Sequence, residues 1–353
     1  MNFILKILSF PFSIIFWIIV SFRNFFYDHN IISVRELGSK VISVGNIISG
    51  GAGKTPFTEM ITRYITGKEK FAAIIIKGYM RETDDMKVAE LGFKNEEGKL
   101  TSENFSDEGM LLLENFRELE KGRGIIIACD DKSKGAKFAD SKFNPDVIIL
   151  DDGFQHHAIH RDLDVVIINN KKDYLIPVGK MREPRKSLRR ADIIALNNKF
   201  EPYDFMPGRK NNPHIVCNYE LEGFFNIKNE KLQNENINAT AFCGIGDPDS
   251  FRELLTSNSI KISSFIVFRD HHFFTSKEIE ELNETYKTSK SNCIITTQKD
   301  FVRLKYSRAV SGGKGDNIFR ELLSNYPLYY AKIKMQISQN ADRLFDKIDD
   351  LLK

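Results

Sequence analysis

Cysteine is scarce in this chain of 353 residues: the four present, Cys129, Cys217, Cys243 and Cys293, form no C-x-x-C pair. This scarcity excludes a disulfide-stapled scaffold, argues against a zinc site and fits a reduced, cytosolic protein. An excess of one charge is also absent, because 51 Lys and Arg against 48 Asp and Glu leave a net charge of +3. The whole chain is therefore not a polycation for nucleic acid, and any basic binding surface must be local.

Charge is missing altogether from a stretch near the N-terminus. Residues 7–22 carry no charged side chain, no acid occurs before Asp28, and a helix of sixteen residues reaches about 24 Å, short of the ~30 Å hydrocarbon core. Pro11 is expected to interrupt a helix. We predict that residues 1–30 anchor the chain to a membrane, preferably in the interface and otherwise as a single spanning helix. A helix buried in the protein's own core is the alternative.

The remainder of the sequence predicts an α/β fold. Short β-branched runs alternate with helical stretches from residue 38 onward, which is typical of a parallel sheet covered on both faces. At about 150 residues per domain, the length allows about two domains. We predict a first domain at 31–222 and a smaller α/β domain at 223–353 that closes over the active site. The predicted strands are 41–44, 72–77, 124–128, 147–150, 164–168 and 193–196 in the first domain, and 240–243, 264–268, 293–297 and 328–331 in the second. Helices are expected after Gly53, at 108–119 and at 134–139, and residues 87–104 are expected to form a hairpin or lid.

A glycine-rich turn follows the first predicted strand and ends in Gly-Lys-Thr, as a P-loop does. Backbone N–H groups and the start of the next helix surround phosphate oxygens in such a loop, while the lysine neutralises the β/γ-phosphates and the threonine binds Mg²⁺. The turn therefore predicts ATP and Mg²⁺ as cofactors, although Ile48 stands where the strict pattern has glycine. The predicted nucleotide-binding residues of the turn are Gly50, Gly51, Ala52, Gly53, Lys54, Thr55 and Pro56.

Two adjacent acids, Asp151 and Asp152, follow an all-apolar predicted strand about a hundred residues later. A P-loop needs such an acid to position its metal. Because neighbouring residues in a strand face opposite ways, one aspartate is expected at the metal and the other at the substrate or in a structural hydrogen bond. Their order is left open. Gln155, His156 and His157 follow directly, where polar donors stabilise a transferring phosphoryl group or bind an anionic substrate. Zinc is not favoured there, because no partner cysteine is present.

Three further patterns each allow two interpretations. Asp107 and Glu108 open a predicted helix, where acids are either favourable caps or a source of a carboxylate that accepts a hydroxyl proton. His271 lies in an Arg-Asp-His-His loop of the second domain, which is either part of a site or plain surface. Residues 180–190, including Arg182, hold six basic residues and one acid. That run is either a solvated face or a surface for a phosphate-bearing substrate or anionic lipid.

Taken together, these motifs resemble the tetraacyldisaccharide 4′-kinase family of lipid A biosynthesis. The resemblance follows nearly the whole chain in order, through the segments 44–46 and 51–56, 77–79, 106–108, 151–156, 161–163, 179–184, 242–246, 270–272 and 297–300. It implies a P-loop kinase that transfers the γ-phosphate of MgATP to the 4′-hydroxyl of an acylated glucosamine disaccharide 1-phosphate. It also implies a place at the cytoplasmic face of the bacterial inner membrane.

The same resemblance assigns roles to single residues. It implies that Asp107 is the catalytic base and that His271 supports it from the second domain. Lys54 and Thr55 are implied phosphate and Mg²⁺ contacts, and Asp151 and Asp152 are implied metal-associated acids. The positions expected near nucleotide or substrate are Gln155, Glu108, His156 and Arg182. The sequence departs from the family pattern at Ile48, Lys77 and Gln298, where a small hydroxyl residue, Arg and Glu are expected.

Two other functions remain open on the sequence. The first is a membrane-associated P-loop ATPase that acts as a switch or assembly factor, and Ser49 weighs against it because the partitioning ATPases carry a signature lysine there. The second is a soluble small-molecule kinase, which would not need residues 1–27.

Overall fold

The computed structural model describes residues 3–78, 85–92, 100, 105–117, 119, 121–169, 173–198, 214–233, 236–306, 322 and 326–353. By their internal contacts, the residues form two compact units. The first comprises 1–77, 120–219 and 335–353, and the second comprises 78–119 and 220–334. The domain boundaries drawn from the sequence stay a prediction, and the contacts differ from them at both 78–119 and 335–353.

The described helices are α1 (Phe3–Asp28), α2 (Lys54–Gly67), α3 (Asp107–Asn115), α4 (Lys132–Phe143), α5 (Pro248–Ser257), α6 (Ser276–Thr288), α7 (Gln298–Lys305) and α8 (Asp342–Leu351). The described strands are β1 (Lys40–Asn46), β2 (Phe71–Lys77), β3 (Lys87–Glu90), β4 (Arg123–Cys129), β5 (Val147–Asp151), β6 (Leu163–Ile168), β7 (Ile193–Asn197), β8 (His214–Phe225), β9 (Asn238–Cys243), β10 (Lys261–Val267), β11 (Cys293–Thr297) and β12 (Leu328–Gln339). A 3-10 helix spans Arg185–Arg190. Of the predicted lid at 87–104, the described part contains β3, and much of the rest lies outside the described residues.

The first unit is built on a parallel sheet. Its strands follow the order β8, β7, β6, β1, β5, β2, β4, and each neighbouring pair of them is parallel. All positions of β5, β6 and β7 are buried. Since alternate residues of a strand point to opposite faces, burial at every position means that both faces are covered. The predicted parallel α/β fold is therefore confirmed, with each strand at most two residues longer at an end than predicted.

The second unit contains β10, β9, β11 and the first part of β12, again in parallel pairs. Its four predicted strands correspond to β9 through β12, and β12 continues eight residues beyond its predicted end. The sequence missed β8, a strand of twelve residues. Asn218, Glu220 and Glu222 interrupt its apolar pattern, and these positions are partly or fully exposed.

Helix α1 turns its apolar side chains away from the protein. Leu8, Phe12, Ile19 and Phe22 are 60% to 64% exposed, whereas Ser13, Val20 and Asn24 are buried. By length and composition residues 8–28 are apolar enough to cross a membrane, with 11% of the stretch buried. A helix buried in the protein's own core therefore does not fit the structure. The predicted interruption is also wrong, because the helix runs continuously through Pro11.

Polar contacts hold α1 on the first unit. The Ser13 hydroxyl donates a 2.9 Å hydrogen bond to the Leu175 carbonyl. Near the other end, Arg23 and Asn24 donate to the fully buried carboxylate of Glu183 at 3.1 and 3.0 Å. Arg190 supplies a third donor to Glu183 at 2.9 Å. Because a buried carboxylate is costly unless paired, these contacts fix which side of α1 faces the protein.

Candidate active site

The predicted phosphate loop lies between β1 and α2 in the first unit. Gly50 and Gly53 have backbone φ angles of 86° and 91°, a left-handed conformation that glycine adopts at little cost. A Cβ on Gly53 would also meet the Tyr219 hydroxyl and come within 2.9 Å of the Asn197 amide. That amide donates a 2.9 Å hydrogen bond to the Ala52 carbonyl. The loop is therefore shaped both by its glycines and by Asn197, a residue that the sequence reading missed.

Asp151 ends β5 directly beneath the start of α2. Its carboxylate accepts hydrogen bonds from the Thr55 hydroxyl at 3.1 Å and from the Thr58 hydroxyl at 3.2 Å. The side chain is buried. Threonine hydroxyl and carboxylate oxygens are the hard ligands that Mg²⁺ takes, usually with phosphate oxygens and water completing its shell. Among the described residues, no group of three or more His, Cys, Asp or Glu could hold a metal. The donor set thus fits a cation shared with a nucleotide.

Asp152 has a different environment. Its backbone φ is 58°, and its two carboxylate oxygens accept bonds of 2.9 and 2.7 Å from the two terminal nitrogens of Arg182. The Lys54 ammonium lies 3.6 Å away. Burial by itself would raise the pKa of Asp152, but the Arg182 hydrogen bonds and the Lys54 charge hold that pKa well below its usual value. Asp151 thus faces the loop hydroxyls, whereas Asp152 joins Arg182 and Lys54.

Lys132 supports both aspartates from the start of α4. Its side chain is buried, and its ammonium donates to the main-chain carbonyl of Asp151 and, at 2.9 Å, to that of Asp152. Burial lowers the pKa of Lys132 while the two carboxylates oppose the shift. The sequence reading missed this residue because the predicted helix began at 134. A lysine beside two acids, Asp130-Asp131-Lys132, was the available signal.

The polar residues that follow Asp152 have different surroundings. The Gln155 amide donates a 2.8 Å hydrogen bond to the Asn46 carbonyl at the start of the loop. Burial, with the nearby Lys132 charge, lowers the pKa of His156 to about 4, so that this imidazole is neutral at pH 7. His157 instead stacks on Tyr27 of α1, with 5.0 Å between ring centroids. Expected as a polar donor beside the phosphoryl group, His157 therefore packs under α1.

In the second unit, Asp107 and His271 are in direct contact. Asp107 begins α3 and is buried, and its Oδ2 accepts from Nδ1 of His271 at 3.1 Å and from Nε of Arg303 at 2.9 Å. Burial would raise the pKa of Asp107, but the His271 hydrogen bond and the Arg303 charge outweigh it and lower that pKa. The buried Oδ1 has no hydrogen-bond partner among the described residues. One oxygen of an ionised carboxylate is thus left for another donor.

Helix α7 supplies the cations around Asp107. Arg303 is 1% exposed and bridges Asp107 to Asp300, whose Oδ1 lies 2.8 Å from its guanidinium. Asp300 also accepts from the Gly244 amide at 2.9 Å and from the Thr297 hydroxyl at 2.6 Å. Thr297 and Asp300 belong to the Thr-Gln-Lys-Asp motif at 297–300, for which the sequence suggested no role. The predicted substrate residue Glu108 lies 3.6 Å from Lys299 of the same helix.

The structure describes the surroundings of the three residues that depart from the family pattern. Ile48 forms an isolated antiparallel bridge with Met181. Lys77 ends β2 with an exposed side chain. Gln298 donates a 2.6 Å hydrogen bond to Asn115 and so joins α7 to α3.

Comparison with known proteins adds to this geometry. A family model described as LpxK, tetraacyldisaccharide-1-P 4′-kinase, matches residues 5–353. A tetraacyldisaccharide 4′-kinase from Koribacter versatilis is 30% identical over 350 residues, covering 97% of this chain and 98% of the relative. The protein of the same name from Aquifex aeolicus is 34% identical over 301 residues, covering 84% of this chain and 89% of the relative.

One solved structure is similar over almost the full length. The crystal structure of LpxK from Aquifex aeolicus in complex with ATP matches with a TM-score of 0.77 and 28% sequence identity. The match covers 99% of this chain and 100% of that chain.

Proposed function

The chain belongs to the tetraacyldisaccharide-1-P 4′-kinase family, and we propose that it transfers the γ-phosphate of ATP to the 4′-hydroxyl of an acylated glucosamine disaccharide 1-phosphate. The observation that carries the proposal is the contact between the buried Asp107 and His271, in a chain that also has a phosphate loop. A nucleotide-binding switch needs the loop and its acids. A kinase needs, in addition, a carboxylate that receives the proton of its acceptor.

The first unit is proposed to bind the phosphate donor. The loop residues from Gly50 to Pro56 would surround the ATP phosphates through backbone N–H groups, and Lys54 would offset charge on the β/γ-phosphates. Thr55 and Asp151 are proposed to hold Mg²⁺, with Asp152 beside it. When bound, the metal supplies charge neutralisation at the phosphoryl oxygens.

Asp107 is proposed as the catalytic base of the transfer. Its pKa is lowered, so it is ionised at pH 7 and its unpartnered Oδ1 can accept a hydrogen bond from a substrate hydroxyl. A weak base suffices, because phosphoryl transfer has a loose transition state in which positioning and electrostatics contribute most of the catalysis. As Oδ2 is already held by His271 and Arg303, the carboxylate would be fixed before the acceptor binds.

The other predicted residues are proposed to lie near the nucleotide or the substrate. Arg182 would help position charge at Asp152, and Gln155 would hold the loop at Asn46 near the nucleotide. His156, being neutral, would serve as a hydrogen-bonding group toward substrate rather than as a cation, and Glu108 is proposed to lie near the sugar. We also propose that a second, smaller domain at 223–353 closes over the active site and excludes water from the transfer.

The proposed place of action is the cytoplasmic face of the bacterial inner membrane. The outward apolar side chains of α1 support this, because they would enter the lipid in which an acylated substrate lies. ATP, the phosphate donor, is supplied on the cytoplasmic side. The exposed basic residues Lys180, Lys186 and Arg189 would meet anionic lipid or the substrate's 1-phosphate.

The test is a transfer assay in detergent micelles with γ-labelled ATP and tetraacyl disaccharide 1-phosphate. Wild-type protein should label the lipid, and Asp107→Asn should lower the rate by about 100-fold or more while ATP binding, measured by calorimetry, stays unchanged. Lys54→Ala should instead weaken ATP binding. Glu90→Gln, on β3, is a matched acid-to-amide control and should transfer normally.

Two outcomes would argue against this function. ATP hydrolysis that is brisk without lipid and yields no labelled lipid would favour the ATPase switch. Full transfer by a variant lacking residues 1–27 that stays soluble would favour the soluble kinase. If Asp107→Asn transfers phosphate at the wild-type rate, Asp107 is not the base.

A further inference from the structure

Lys299 is a residue of the Thr-Gln-Lys-Asp motif whose position gives it a distinct role. Its ammonium nitrogen lies 3.2 Å from Nε2 of His271, on the opposite side of the imidazole from Asp107. It also lies 3.6 Å from Glu108 and 3.7 Å from Asp270, and the same two carboxylates lie 3.9 Å from Nε2 of His271, beyond hydrogen-bond distance. Two carboxylates therefore keep a positive charge next to a ring nitrogen that could otherwise carry a proton.

The chemistry of these groups fixes the direction of both hydrogen bonds. A protonated lysine has only donors, and an ionised carboxylate has only acceptors. In the arrangement that uses both short contacts, Nε2 of His271 accepts from Lys299 and Nδ1 carries the hydrogen that is donated to Asp107. This arrangement corresponds to the Nδ1–H tautomer, because a proton on Nε2 would face the Lys299 ammonium.

We propose that Lys299 is a positioning residue that sets the tautomer of His271, so that His271 always donates to Asp107 and never removes the substrate's proton itself. This inference rests on the proposed kinase function. It distinguishes two arrangements that use the same pair of side chains. In one, the histidine is the base and the aspartate orients it, as in a Ser-His-Asp triad. In the other, which Lys299 enforces, the aspartate is the base and the histidine orients it.

Arg303 adds to the same assignment of roles. Nδ1 of His271 and Nε of Arg303 both approach Oδ2 of Asp107. Oδ1 is left without a partner among the described residues. The backbone of His271 is itself in the left-handed region, with a φ of 58°. A non-glycine residue held there indicates that its ring position is determined by surrounding contacts, of which Lys299 is one.

The test compares Lys299→Met, which cannot donate, with Lys299→Arg, which can only donate. Full-length protein labelled with ¹⁵N-histidine gives the protonation of each ring nitrogen, and the His271 signals are identified by their loss in His271→Asn. Wild type and Lys299→Arg should show hydrogen on Nδ1 of His271. Lys299→Met should show mixed tautomers, and its kcat should fall about 10- to 100-fold with an unchanged KM for ATP.

Lys305→Met is the matched control on the same helix. Lys305 pairs with Glu114 of α3 at 2.7 Å, so this variant loses a contact between α7 and α3. It should melt at a lower temperature than the wild type but keep the Nδ1–H tautomer. A wild-type His271 protonated on Nε2, or a Lys299→Met protein with an unchanged tautomer and kcat, would overturn the inference. Failure of the proposed function is recognised separately, because Asp107→Asn would then transfer phosphate normally whatever the tautomer.

Discussion

The contact between α1 and Glu183 makes a sharp prediction about stability. Glu183 is fully buried and accepts hydrogen bonds from Arg23, Asn24 and Arg190. Glu183→Gln keeps the shape of the side chain but removes its negative charge. The amide nitrogen of the new glutamine would then face a hydrogen-bond donor, and Arg23 and Arg190 would lose the carboxylate with which they pair.

The expected cost follows from the burial of these partners. Breaking a buried ion pair on one side costs about 3 to 5 kcal/mol. Arg23 is 35% and Arg190 16% exposed, so water compensates part of the lost interaction and the low end, about 3 kcal/mol, applies. The lost stability should appear as weaker attachment of α1 to the protein. The backbone beside Glu183 is held independently, by a 2.7 Å hydrogen bond from the Arg182 amide to the Ile47 carbonyl.

Thermal unfolding and limited trypsin digestion of purified protein measure both effects. Glu183→Gln should melt several degrees lower, and cleavage after Arg23 should accelerate while ATP affinity is retained. Glu59→Gln is the control, because Glu59 pairs with the exposed Arg63 at 2.9 Å within one helix and should cost less than about 0.5 kcal/mol. If both variants melt and digest like the wild type, Glu183 does not hold α1.

Three other perturbations separate neighbouring residues with different roles. Gly53→Ala should weaken ATP binding at least tenfold in calorimetry, because Gly53 has a left-handed backbone and a Cβ there would clash. Gly67→Ala is the control and should bind ATP normally, because a Cβ at Gly67 meets nothing within 4 Å. Thr55→Val should raise the Mg²⁺ concentration needed for half-maximal transfer, whereas Thr58→Val should only lower the melting temperature. Burial raises the pKa of Asp164 to about 6 from 3.8, so its contribution to stability is present below pH 4 and lost as the pH rises through 6. Asp164→Asn should therefore gain up to about 3 kcal/mol over wild type between pH 4 and 7 in urea titrations, and equal pH slopes for the two proteins would contradict this.

The strands and the phosphate loop were predictable because each has its own pattern over a few consecutive residues. A strand buried on both faces needs a continuous apolar run, and a loop around phosphate needs glycines with lysine and threonine at its end. Strand ends were less certain, since β1 extends through Gly45 and Asn46, residues with low strand propensity that are held by pairing with β6. There, hydrogen bonds to neighbours override local preference.

Partners from distant parts of the chain were not predictable. Arg303 is 196 residues from Asp107, and Lys132 looked like one of many surface lysines. Burial decides their importance, and burial depends on packing that a charged residue's neighbours in sequence do not reveal. The order of Asp151 and Asp152 was likewise open. It follows from the hydroxyls of α2 on one side and Arg182 on the other.

Helix α1 shows both a predictable local pattern and unpredictable distant partners. Its apolar composition predicted a membrane-facing segment, but composition alone assigned no role to Ser13 or Asn24. Polar side chains in an apolar helix are costly against lipid and cost little against protein that offers them partners. Leu175 and Glu183 are those partners, and they lie more than 150 residues away. In such a helix the few polar positions therefore mark the face that packs on the protein, the reverse of a surface helix in a soluble domain, where apolar positions mark it.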